Sequence, residues 1–153
     1  MDRNLEIDKV DLAILRLMVE NADLSYAEIG KRVFVSGGTV HVRVNKMKQL
    51  GVIKGTRMEI DPAKLGWDIT SYLGIYLDKS SLYEEVAEQL TLIPEVTNIH
   101  YTTGQYSIFA KIVCRDTGHL REVLHDKIQK VAGIQRTETL ISLEESLNRA
   151  IPL

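Results

Sequence analysis

The sequence predicts an α+β chain of two domains, the first helical and the second mixed. Three observations predict it. Each of three short apolar segments before Gly51 opens on a residue able to cap a helix. Beyond Gly66 the apolar spacing switches between the strand and helix periods in the order βαββαβ. Between Ile29 and Met58 there are seven basic residues and no acidic one, although the formal net charge is −2. The remainder of the chain holds 12 basic and 21 acidic residues, so the asymmetry is local.

The first helix opens at Asp8, with Ile7 before it and Leu12 at its fourth position, the pairing of a hydrophobic staple. Its stripe is Leu12, Leu15 and Val19, flanked by Ala13, Ile14, Leu17 and Met18. Ser25-Tyr26-Ala27-Glu28 is a capping box for a short second helix ending near Arg32 or Val33, and Leu24 with Ile29 staples it. Ser36 caps a third helix that runs to about Leu50, stapled by Val35 and Val40, with Gly51 placed to take the left-handed position after it. Long helix, short helix, turn and helix together predict a helix-turn-helix.

The third helix divides by face. Val40, Val44 and Met47 point inward, with Gly51 in line. Gly38, Val42, Asn45 and Gln49 point outward, flanked by Thr39 and Lys46 on one side and His41 and Lys48 on the other. Small, amide and basic side chains suit the major groove of double-stranded DNA. Asn45 and Gln49 can pair with adenine edges and Val42 can meet a thymine methyl. Ser36, Thr39, Lys46 and Lys48 would hold phosphates, and Arg43 at the edge of the packed face would reach another. A solvated basic face on a protein-interaction bundle is the plainer alternative, and the absence of any acid in the window favours DNA.

After Gly51 the alternation Thr56, Met58, Ile60 against Arg57 and Glu59 predicts a strand, with Lys54 and Arg57 extending the basic surface as a wing. Asp61-Pro62 starts a turn, and one helical turn follows from Pro62 to Gly66. The expected domains are therefore residues 1–60 and 69–153, joined by a linker over 61–68. In the second half, strands are predicted at 69–77, 96–101, 106–113 and 135–143. The intervening helices are capped by Ser80 or Ser81 and by Asp116 or Thr117. That order is a ferredoxin-like split βαβ unit, with helices on one sheet face only. Tyrosines, isoleucine and leucine on the other face predict pairing with a second subunit.

Composition narrows the rest. At 153 residues, 44% apolar and 26% charged, the chain is globular rather than disordered. No apolar run is long enough to span a bilayer, and the polar start from Met1 to Lys9 is no signal peptide, so a cytoplasmic location is expected. Cys114 alone excludes an internal disulfide and reads as buried filler. His41, His100, His119 and His125 lack metal-ligand spacing, so neither a metal nor a cofactor is expected.

Over its full length the chain resembles the Lrp/AsnC (feast/famine) transcriptional regulators. The resemblance rests on Ile7-Asp8-Lys9-Val10-Asp11, Ser25-Tyr26-Ala27-Glu28-Ile29 and Ser36-Gly37-Gly38-Thr39-Val40-His41-Val42-Arg43-Val44. It rests further on Tyr101-Thr102-Thr103-Gly104-Gln105-Tyr106-Ser107-Ile108-Phe109 and Thr137-Glu138-Thr139-Leu140-Ile141-Ser142-Leu143, which are closer to the asparagine-responsive branch than to leucine-responsive members. It implies dimers through the second domain, assembly into octamers, and an amino-acid effector, asparagine for this branch, bound between dimers.

An effector carboxylate needs backbone N–H donors and its ammonium needs oxygen acceptors. The turn Thr103-Gly104-Gln105 lets a ligand approach backbone, with hydroxyls on Tyr101, Tyr106 and Ser107 around it. Many relatives carry an aspartate where Ser107 stands, so ammonium recognition passes to carbonyls or to Glu138, and Gln129 would reach in from a neighbouring subunit. Two alternatives remain at this level. One is a dimeric enzyme acting on a tetrapyrrole, as some proteins similar to the family do, although His100 is the only acid–base candidate near the turn. The other is an architectural DNA-binding protein without a ligand.

Overall fold

A computed structural model describes residues 6–153. It divides into two compact bodies, one running to Glu59 and including Asn148–Leu153, the other Ile60–Leu147.

In the first body, α1 is Lys9–Glu20, α2 is Tyr26–Val33 and α3 is Gly37–Gln49. The Asp8 carboxylate accepts from Val10 and Asp11 N–H, and Asp11 returns the bond by accepting from Asp8 N–H at 3.1 Å. Ser25 and Glu28 make the reciprocal pair at the head of α2. The core is Ile14, Ile29, Val40, Val44 and Met47, all fully buried. The inward line of α1 is centred on Ile14, with Val10, Leu17, Met18 and, from the expected stripe, Leu15 packed beside it. The expected stripe is displaced accordingly, because Val19 is 46% exposed and Leu12 lies outside the cluster.

Helix α3 ends in a Schellman motif. Gly51 has φ 71°, Val52 N–H donates to the Met47 carbonyl at 2.9 Å, and Gly51 N–H donates to that of Lys48 at 3.0 Å. Val52 and Ile53 then return to the core. From Ile53 to Ile60 the chain carries no regular secondary structure, so the expected wing strand is not formed. Alternation needs a partner strand to become a ladder, and the first body has no strand among the described residues.

The second body begins with the turn Ala63–Leu65, closed by Gly66 at φ 79°, so residues read as linker fold with the sheet. Strands β1 (Ile69–Leu77), β2 (Val96–Tyr101), β3 (Ile108–Cys114) and β4 (Ile134–Ile141) form one antiparallel sheet in the order β2-β3-β1-β4. Helix α4 is Tyr83–Thr91 and α5 is Thr117–Glu122. Neither serine caps α4, since Ser80–Leu82 is a 3₁₀ turn leading into it without a side-chain cap. Asp116 caps α5, accepting from His119 N–H at 2.7 Å. The helix then widens into a π turn over Val123–Lys127.

Leu73 and Ile75 of β1 and Ile108, Ala110 and Ile112 of β3 meet Val86, Leu90, Leu120, Val123 and Ile128 from the helices. Cys114 is buried in the same core, and burial pushes its thiol pKa up, which fits a filler role. The opposite sheet face carries an aromatic row. Tyr72 stacks on Phe109 at 5.8 Å, and Phe109 on Tyr106 at 6.0 Å.

Within this core Glu95 is 7% exposed. Its Oε1 accepts from Lys127 Nζ at 2.7 Å and from His119 Nε2 at 3.1 Å. The His119 Nδ1 accepts from Arg115 N–H, which leaves the ring proton on Nε2. Burial raises the Glu95 carboxyl, but the Lys127 bond, its own backbone N–H and the His119 bond together hold it below the ordinary glutamate value. A depressed carboxyl contributes stability that is present above the unfolded value and lost as pH falls through the folded one. Resistance to urea unfolding should therefore weaken as pH drops below about 4.3. Glu95→Gln should flatten that part of the profile, and identical profiles for the two proteins would exclude the pair as its source.

Candidate nucleic-acid interface and effector turn

Two places gather the expected functional residues, and each lies within one body. In the first, Ser36 heads α3, its Oγ accepting from Thr39 N–H at 3.0 Å and meeting Thr39 Oγ1 at 2.9 Å. Both hydroxyls are thus set at the helix N-terminus, where free N–H groups favour a phosphate. Gly38 is exposed, and a β-carbon there would meet only Ser36 Oγ, at 3.7 Å. His41, Val42, Lys48 and Gln49 project outward, and Val42 is 67% exposed in mid-helix, which its own fold does not require. Asn45 and Lys46 are half-buried. The Asn45 amide lies 3.3 Å from His41 Nε2, and the Lys46 ammonium donates to the Glu6 carbonyl.

Arg43 differs from expectation. Its Nη1 donates to Asp8 Oδ2 at 2.7 Å and to Asp11 Oδ1 at 2.8 Å, and Asp11 is fully buried. Hydrogen bonds to the two carboxylates, Asp11 first, raise its pKa further. Through Nη1 the guanidinium ties α3 to the capping box of α1, a structural role the expected phosphate contact does not include. A pair 32 positions apart leaves no periodic signal in a sequence.

Two glycines missed at the sequence level set the helix-turn-helix geometry. A β-carbon on Gly30 would lie 2.6 Å from the Val35 carbonyl oxygen, and one on Gly37 would lie 3.3 Å from Ala27 backbone. Their absence of side chains lets α2 and α3 approach. A glycine within a strong helical pattern was the available signal.

In the second body, Thr102 N–H donates to the Ser107 carbonyl at 3.1 Å, and Thr102 Oγ1 to that of Tyr106 at 2.8 Å. Ser107 N–H in turn donates to the Ile75 carbonyl at 2.9 Å, which pins the turn to β1. At its tip Thr103, Gly104 and Gln105 are exposed, and Gly104 has φ 103° with nothing within 4 Å of where a β-carbon would be.

The tyrosines separate. Tyr101 packs on Tyr83 at the head of α4, ring centroids 4.3 Å apart. Tyr106 lies across Gly74 on the opposite face, where a β-carbon would be 2.5 Å from its ring. Its hydroxyl donates to Glu138 Oε2 at 2.8 Å, while Tyr76 donates to Oε1 at 3.0 Å and Arg136 to the same oxygen at 3.1 Å. Arg136 also sits 3.7 Å over the Tyr76 ring. These bonds, Tyr106 first, hold the Glu138 carboxyl below the usual carboxylate range, and the same contact pushes the Tyr106 phenol up. Glu138 therefore serves as a clasp between Tyr106 and Tyr76, each of its oxygens already accepting at least one bond. Gln129 lies apart, in the turn Ile128–Lys130, beside a hollow of about 400 Å³ lined by Ile134, Gln135, Arg136 and Thr137.

The chain matches the family model of winged helix-turn-helix DNA-binding domains over residues 7–54 and that of the Lrp/AsnC ligand-binding domain over residues 70–151. The chain belongs to the Lrp/AsnC family. It is 45% identical over 148 residues to Regulatory protein AsnC of Escherichia coli strain K12, covering 97% of each chain. It is 46% identical over 145 residues to Regulatory protein AsnC of Haemophilus influenzae, covering 95% of this chain and 97% of that one. A solved structure of E. coli AsnC superposes with a TM-score of 0.89 over 95% of this chain and 97% of the other. A Neisseria meningitidis transcriptional regulator solved with L-Met shares the fold at 20% identity and a TM-score of 0.88, covering 95% and 96%.

Membership makes this Lrp/AsnC protein a DNA-binding transcriptional regulator with a ligand-binding domain, and sets aside the enzyme alternative. Its two-part α+β architecture, helix-turn-helix followed by a four-stranded sheet with helices, is that of AsnC. Among the described residues, no helix is long and apolar enough to cross a membrane.

Proposed function

We propose that this regulator senses a small amino acid, asparagine first among candidates, at the turn Thr103–Ser107, and that the ligand is held between dimers of an octamer in the cytoplasm. The observation that carries the reading is the turn itself. Its backbone is fixed at both ends by Thr102 and Ser107, while Gly104 at φ 103° leaves its tip open. A preorganised turn with free amides suits a carboxylate at little entropic cost. Since Glu138 is engaged by both tyrosines and Arg136, the ammonium falls to turn carbonyls and the Ser107 hydroxyl, with the Gln129 amide arriving from a neighbouring subunit. The 45% identity to Regulatory protein AsnC, across nearly the whole chain, supports a place in the asparagine-responsive branch that the motifs resemble.

The aromatic face of Tyr72, Phe109 and Tyr106 supports dimerisation through the sheet, because such a face is half-exposed in one chain and closes on a second copy. On DNA, His41, Val42, Asn45 and Gln49 would meet base edges, while Ser36, Thr39, Lys46 and Lys48 position the helix against phosphates, with Gly38 permitting close approach. Ligand at a seam between dimers shifts the arrangement of the DNA-binding heads through its differential affinity for two assemblies.

Titration calorimetry tests this. Asparagine should give saturable heat with the assembled protein, and Gln105→Ala should weaken it at least tenfold without moving the melting temperature. Saturation by none of the twenty amino acids would leave the ligand-free architectural reading in its place.

A further inference from the structure

Phe34 is the one non-glycine residue at positive φ among the described residues, with φ 59° and ψ 42°. It stands at the end of α2 in the left-handed position that closes the helix. Phe34 N–H donates to the Gly30 carbonyl, and Val35 N–H to the same oxygen at 2.9 Å. Glycine or asparagine takes such a position without the clash that a bulky β-carbon brings. Packing does not compensate for the strain, because Phe34 is 94% exposed. Scattered exposed leucines need no explanation, but a strained aromatic residue whose ring touches almost nothing in its own chain does.

Its surroundings carry one sign of charge. Lys31 and Arg32 close the same helix and are exposed, and neither forms an ion pair among the described residues. The nearest acid, Glu28, is turned into the Ser25 capping box, accepting from its N–H at 2.9 Å and from its hydroxyl at 2.6 Å. Two residues after Phe34, Ser36 opens the recognition helix.

We infer that Lys31, Arg32 and Phe34 form a second DNA contact beside the recognition helix, the two cations on phosphates and the Phe34 ring against the deoxyribose of the same backbone. This rests on the established DNA-binding role but not on the assignment of base contacts along α3. A ring on sugar adds affinity without reading sequence, and it releases no counterion. The strain is then retained because binding recovers more than folding loses, a trade of stability for function.

The full-length protein and a mixed-sequence duplex of about 40 base pairs, titrated at several salt concentrations, test the assignment. Phe34→Asn should melt at the same or a higher temperature, since asparagine accepts the left-handed conformation, and should bind DNA about fivefold more weakly with an unchanged salt slope. Lys31→Ala and Arg32→Ala should each lower the slope by about one unit. Phe34→Leu, which keeps the strain and an apolar side chain, controls for folding and should fall between wild type and Phe34→Asn. Undiminished DNA binding by a folded Phe34→Asn protein would overturn the inference. So would a change of oligomeric state in sedimentation with DNA affinity intact, which would assign the ring to another copy of the chain.

Discussion

Replacing Arg43 with alanine should lower the unfolding free energy by about 3 kcal/mol, although the residue lies on the DNA-binding helix. The two carboxylates it touches contribute unequally. Asp8 has a side chain 55% exposed, so water replaces most of what its bond to Arg43 supplies. Asp11 is fully buried, and without the guanidinium its charge keeps only the Asp8 N–H as a donor. An uncompensated buried carboxylate is the expensive outcome, and it dominates the loss. Denaturant unfolding of Arg43→Ala, Asp11→Ala and the double variant provides the measurement. The double variant should be less destabilised than the sum of the singles by at least 1 kcal/mol, because removing both partners strands neither. DNA binding separates this reading from the expected phosphate contact. A guanidinium spent on α1 leaves the salt slope of Arg43→Ala unchanged once measured on folded protein, whereas a phosphate contact would lower it by about one unit. Loss of that unit with stability intact would return Arg43 to the interface.

Much of the architecture was legible because it is written locally. Asp8, Ser25 and Ser36 are caps whose partners lie within three residues, and α3 ends through bonds from Gly51 N–H to the Lys48 carbonyl and from Val52 N–H to that of Met47. The bounds read for β1 and β2 match the strands formed, β1 because its charge-free run lies between Asp68 and Asp78, and β2 because it starts after Pro94 and ends before the turn at Gly104. What escaped depends on pairings that a sequence does not order. The alternation of residues 52–60 resembles that of a strand but has no partner to ladder with. The tyrosines flanking the turn look alike as letters, yet Tyr101 falls on the helix side with Tyr83 and Tyr106 on the other side over Gly74. Glu138 reads as a spare acid in the sequence, yet the pairing of β4 with β1 sets it opposite Gly74 and bonds it to Tyr76. Burial alone could not have distinguished these cases, because each depends on which face a register delivers.

Gly30→Ala carries the second large effect, and its sign opposes helix propensity. In an open helix the change from glycine to alanine stabilises by about 1 kcal/mol. At Gly30 the new β-carbon would stand 2.6 Å from the Val35 carbonyl oxygen and 3.1 Å from the Ser36 carbonyl carbon, both backbone atoms of the turn into α3. Backbone cannot swing aside as a side-chain tip can. Either α3 moves off α2 or the turn is rebuilt, and the turn already holds Phe34 in a strained conformation. Overpacking of this kind costs about 1–3 kcal/mol, so the net effect is a loss of roughly 2 kcal/mol despite the propensity gain. The damage reaches function through Ser36, whose hydroxyl sets the first turn of the recognition helix. DNA affinity should therefore fall along with the melting temperature in Gly30→Ala. In Gly38→Ala, where a β-carbon would find only Ser36 Oγ at 3.7 Å, stability should hold or rise while DNA binding alone weakens. Unfolding by denaturant together with DNA titration of both variants distinguishes a glycine needed for the fold from one needed for close approach to the duplex. Gly30→Ala at or above wild-type stability would show that the two helices can part at no cost.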